Sequence, residues 1–109
     1  LQQTFPFQPR ASNQNPPAGT VNGAVTGSVT QLTLGVENGA AEASVRLVNV
    51  GSQTIFWAYG TEAGLTVANG VPMLPNTVEV FMLPPNAQTI SVIAAATGST
   101  LYATVGDGI

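Results

Sequence analysis

Cysteine, histidine and lysine are all absent from this 109-residue sequence. Without cysteine there is no disulfide framework, no thiolate metal site and no thiol nucleophile. Without histidine the commonest zinc ligand and general base are missing. Serine and threonine are plentiful, but neither lysine nor histidine stands by to activate them, and no Gly-x-Ser-x-Gly elbow or Gly-Lys-Ser/Thr phosphate loop occurs. The parts supply predicts a protein that is not an enzyme and carries no cofactor and no metal.

Charge is scarce as well. Two arginines and five acids make 6 % of the chain, against about 25 % in an ordinary soluble domain. The five acids, Glu37, Glu42, Glu62, Glu79 and Asp107, share no local motif that would pair two carboxylates or build a calcium loop. Arg10 and Arg46 make no basic patch, so no nucleic-acid partner is expected. Every apolar run is broken by Asn, Gly, Pro or Thr well short of the ~20 residues of a membrane helix, so no membrane partner is expected. The opening Leu1-Gln2-Gln3-Thr4 has neither the basic nor the apolar region of a signal peptide.

What is present is apolar and turn-rich. Hydrophobic residues make up 44 % of the chain, with 12 glycines and 8 prolines. Residues 1–20 hold four of the prolines, Pro6, Pro9, Pro16 and Pro17, which rule out a helix or a central strand there and predict an extended arm. Phe5 and Phe7 flank Pro6 within it, two aromatics on a stiff peptide, and with Arg10 they are the candidate partner-docking residues. The arm is expected to stand outside sheet register and to add little to the core.

From residue 21 to residue 109 the sequence predicts one β domain. No 3.6-residue periodicity persists over three turns, whereas Val45/Leu47, Ile55/Trp57/Tyr59, Val78/Val80/Met82, Ile90/Val92/Ala94 and Leu101/Ala103/Val105 alternate with period two. Strands are expected at 28–34, 43–50, 54–59, 65–68, 77–83, 89–95 and 100–105. The opposite faces carry Val48, Phe56, Phe81, Leu83 and Ile93, which predicts burial on both sides. Asn22-Gly23, Asn38-Gly39 and Asn69-Gly70 read as turns, with further breaks at Gly51-Ser52, Gly60, Pro84-Pro85-Asn86, Gly98-Ser99 and Gly106-Asp107-Gly108. Residues 19–39 are read as a loose edge hairpin. Turns at roughly ten-residue spacing point to an all-β, antiparallel β-sandwich or jelly-roll-like fold with an extended N-terminal arm.

Trp57, Tyr59 and Tyr102 are the candidate interface or core aromatics. Large aromatics inside strands are more often packed than exposed, so core or interface is the favoured reading over a sugar platform. Arg46 stands between Val45 and Leu47, where it would snorkel or pair with Glu79 or Glu42. A chain with so few charges has a surface suited to burial by neighbours, since interface centres are depleted in Lys, Glu and Asp.

The runs 44–51 (SVRLVNVG), 54–60 (TIFWAYG), 71–75 (VPMLP) leading to 78–81 (VEVF), and 98–108 (GSTLYATVGDG) resemble small structural proteins of tailed bacteriophages. The resemblance covers residues 43–109. It implies a compact β-sandwich on the capsid exterior of a virion, a head decoration or cement protein that binds the major capsid protein and copies of itself as a homotrimer. A tail, fibre or adaptor module, with glycan as its ligand, is the alternative that the same resemblance leaves open.

Overall fold

The computed structural model describes residues 8–9, 20–34, 44–84 and 88–107. Phe5, Phe7, Arg10, Glu37, Asn38, Gly39 and Glu42 lie outside them, as does most of the expected arm. Nine strands are present: β1 (Gln8–Pro9), β2 (Thr20–Val25), β3 (Thr30–Thr33), β4 (Ser44–Gly51), β5 (Ile55–Tyr59), β6 (Val71–Met73), β7 (Thr77–Met82), β8 (Thr89–Ala94) and β9 (Ser99–Asp107). There is no helix among the described residues, and none is therefore long and apolar enough to cross a membrane.

All pairings are antiparallel and form two sheets. In the first, β7 pairs with β4, β4 with β9, and β9 with both β1 and β2, which share its far edge. In the second the order is β3-β8-β5-β6. The pairs β2:β9, β3:β8, β4:β7 and β5:β6 are nested, first strand with last and so on inward. Val45, Leu47, Leu101 and Val105 of the first sheet and Ile55, Trp57, Ile90 and Val92 of the second belong to one hydrophobic cluster. The period-two alternation of β4, β5, β8 and β9 supplies that core as expected.

Several expectations are corrected. Residues 65–68 form turns in the segment between β5 and β6 and are not a strand. Asn22-Gly23 lies inside β2 and not in a turn, because the glycine serves packing there: a Cβ on Gly23 would come within 2.7 Å of Leu32 Cδ2. The expected hairpin at 19–39 does not form, since β2 pairs with β9 and β3 with β8, in different sheets. Gly106 and Asp107 do not break the chain but extend β9. Gln8 and Pro9 pair with Asp107 and Gly106, so this part of the arm is in sheet register after all. An edge place tolerates Pro9, whose missing N–H would interrupt a central ladder.

Strand β7 has the opposite facing from the one its valines imply. Phe81 and Leu83 pack on the core, and Val78 and Met82 are exposed. The larger aromatic wins the inner side because it meets Trp57, ring centroids 4.8 Å apart.

Two turns meet at one end of the sheets. Gly51 has φ +135°, and a Cβ there would lie 2.1 Å from the Gly98 carbonyl oxygen, so only glycine fits. Ser52 N–H donates to that same oxygen (3.2 Å), Gln53 N–H donates to Ser99 Oγ (2.9 Å), and the Ser99 hydroxyl donates to Gln53 O (3.0 Å). Beside them the fully buried Asn49 donates through Nδ2 to the carbonyl oxygens of Gln53 (2.9 Å), Met73 (3.2 Å) and Leu74 (3.0 Å). One side chain of β4 thus fastens the β4–β5 turn and the end of β6, a strand of the opposite sheet.

Candidate functional site

Register assigns the outward side chains of the first sheet. Thr20 and Thr104 hydroxyls lie 2.9 Å apart, which puts both on one face, and the pairing places Arg46 and Val80 in the same row. The next row reads Asn22, Tyr102, Val48, Val78, directly opposite one another across β2, β9, β4 and β7. Val50 follows two residues along β4, opposite Thr100. Within this set Tyr102 is 38 % exposed, Val50 48 % and Val78 57 %, while Val48 is half-buried between its neighbours. At the other end of the face Ser44 and Thr104 are buried. Among the described residues the open part is thus an apolar strip three strands wide, crossed by no carboxylate.

The second sheet treats its outer face differently. Phe56 pairs with Ile93 and Ala58 with Ser91, all on the side away from the core, yet Ile93 and Ser91 are buried. Residues 60–70 fold across them. Ser91 Oγ accepts from Glu62 N–H (2.9 Å) and donates to Gly60 O (2.7 Å), holding the segment down at its start. Leu65 is buried, and Gly70 passes so close to Phe56 and Leu65 that a Cβ would lie 2.8 Å and 2.9 Å from them. Two-sided burial, expected from sequence for several strands, is achieved here by the chain's own strap, whereas Val50 and Val78 stay exposed with no such cover among the described residues.

The aromatics separate. Trp57 is buried in the core; Tyr59 meets it edge-on at 4.9 Å and donates its hydroxyl to Met82 O (2.8 Å); Tyr102 stands on the open face. Trp57 and Tyr59 belong to β5 and Phe81 to β7, so this cluster ties the sheets together and offers no platform to a ligand. Burial raises the Tyr59 phenol above its ordinary value of 10.0. A folded-state value above the unfolded one means that the stabilisation is fully present below pH 10 and is lost as pH rises through the folded-state value. The thermal midpoint should hold level from neutrality to about pH 9 and fall beyond 10. Tyr59→Phe should cost about 1 kcal/mol at neutral pH through the lost hydrogen bond and should flatten the alkaline decline in thermal melts.

Glu62 lies in the strap and Glu79 on β7 opposite Leu47, each exposed. No group of three or more His, Cys, Asp or Glu able to hold a metal occurs among the described residues. Sequence reasoning named Tyr102 but missed Val50 and Val78 as its companions. Only the pairing of three strands distant in sequence brings them together. No protein-family model matches the sequence, and comparison with curated proteins finds no match.

Proposed function

We propose that the chain is a non-enzymatic structural protein of a virion, a decoration or cement protein that binds the head exterior and reinforces contacts between major capsid subunits. The observation that carries this reading is the open strip of Tyr102, Val48, Val50 and Val78 on one sheet, set against the strapped face of the other. One apolar sheet face strapped by the chain itself, and another that the described residues leave open, give one side for solvent and one for a partner. The scarcity of charge supports the same reading, because a neutral surface is best kept soluble by large-scale burial in an assembly. The arm, with Phe5, Phe7 and Arg10, is the second contact in this account.

The finer reading of the fold is a jelly roll. Its support is the nested pairing, since folding one long two-stranded ribbon into two sheets generates the orders β2-β9-β4-β7 and β3-β8-β5-β6. That architecture serves capsid and lectin domains alike, so the fold by itself does not choose the partner. The face supports the capsid reading over a glycan one: Tyr102 lies beside Val48, and its polar neighbours on that face, Asn22, Thr100 and Thr104, are uncharged, a modest set of groups for sugar hydroxyls.

Quantitative mass spectrometry of purified parent particles tests this function. The account expects the chain in many copies per particle, scaling with the major capsid protein. A handful of copies, in the stoichiometry of a tail, would reject the decoration role.

A further inference from the structure

We infer that β7 is a pairing edge for a second copy of this chain, joining two molecules about a two-fold axis at Val80 into one continuous sheet. The inference goes beyond the virion reading and does not rest on it.

Natural sheets blunt their edges with proline, lysine, short strands or covering segments. Here β6 has three residues with Pro72 at its centre, β3 has four, and the far edge of β9 is divided between β1 and β2. Strand β7 runs six residues, Thr77-Val78-Glu79-Val80-Phe81-Met82, without proline or lysine, and its one charge is Glu79 on the side of Leu47. Among the described residues no strand pairs with its outer side, and Val78 and Met82 are each more than half exposed.

Register selects the partner. Two β7 strands can meet antiparallel about a two-fold axis normal to the sheet only with one residue facing itself, since any other offset would set an outward side chain against an inward one. Centring on Glu79 would oppose two carboxylates, which is unfavourable. Centring on Val80 sets Val80 against the partner's Val80, Val78 against the partner's Met82, and Glu79 against the partner's Phe81. Apolar then meets apolar on the outer face, no acid opposes an acid, and five of the six residues pair. The self-complementary contact is the isologous kind that closes as a dimer.

The natural sequence has no cysteine, so single-cysteine variants of the full chain report register without background. Directly opposed side chains in an antiparallel pair lie close enough for a disulfide to form. Under mild oxidation Val80→Cys should cross-link to itself. Val78→Cys and Met82→Cys should each do so at least about tenfold less, and should cross-link to each other when mixed. Sedimentation equilibrium of the natural sequence should show a monomer–dimer equilibrium, weakened at least about tenfold by Val80→Lys, which sets like charges face to face at a half-exposed position. A monomer at every concentration, a trimer as the phage resemblance implies, or equal self-cross-linking at all three positions would overturn the inference.

Discussion

Replacing Asn49 by alanine is expected to lower the thermal midpoint by about 12 °C or more. The amide is fully buried and is the donor to three main-chain carbonyls, those of Gln53, Met73 and Leu74. Its loss leaves buried acceptors without their donor, at about 1–3 kcal/mol for such a group, and opens a small void besides. A total of about 3 kcal/mol converts to the stated shift at about 4–8 °C per kcal/mol for a domain of this size. Asn49→Asp separates the two contributions. It keeps the shape but has no N–H to give, and it sets an acidic group against carbonyl oxygens, so it should destabilise at neutral pH at least as much as alanine. An Asn49→Asp protein that melts with the natural one would show that shape, and not donation, is what position 49 supplies.

The second large effect concerns attachment. Tyr102→Ser together with Val50→Lys should weaken binding to particles by about a hundredfold. Tyrosine is among the residues whose truncation at an interface centre costs about 2 kcal/mol or more, and a lysine forced into an apolar contact adds a further desolvation cost. About 1.4 kcal/mol is one power of ten, so a combined loss near 3 kcal/mol gives the figure. Both positions are on the open strip, on β9 and β4, and neither touches the core cluster. The melting curve of the free protein should therefore change by less than about 1 kcal/mol. Neither residue belongs to β7, whose outer edge forms the dimer, so the same variant should leave dimer formation intact. Loss of pelleting with particles, in a protein that melts and dimerises normally, is the expected pattern; undiminished pelleting would remove the strip from the interface.

The sequence discloses its all-β character and most of its strands because alternation and turn residues are local signals. Val45/Leu47 and Ile90/Val92 face the core as their spacing implies. The signals failed where a distant residue decides. Gly23 looks like half of a turn dipeptide, but it is small for the sake of Leu32 across the core. The facing of β7 follows from Trp57, far away in the chain, which recruits Phe81 inward against the valine pattern. Residues 65–68 have the composition of a strand, yet they lie in a segment that Ser91 fastens at Gly60 and Glu62 and that passes close to Phe56 at Gly70. The candidate face was legible only in part: Tyr102 is conspicuous by type, but that it stands in line with Val48 and Val78 depends on the register of three strands.

The most direct test of the central claim is a density map of the parent particle at a resolution sufficient to orient this domain. The account predicts copies on the outside of the head shell, with the strip of Tyr102, Val48 and Val50 turned toward the major capsid protein and the strap at 60–70 turned to solvent. Copies at the tail, or copies on the shell with the strap inward and Tyr102 facing solvent, would contradict it.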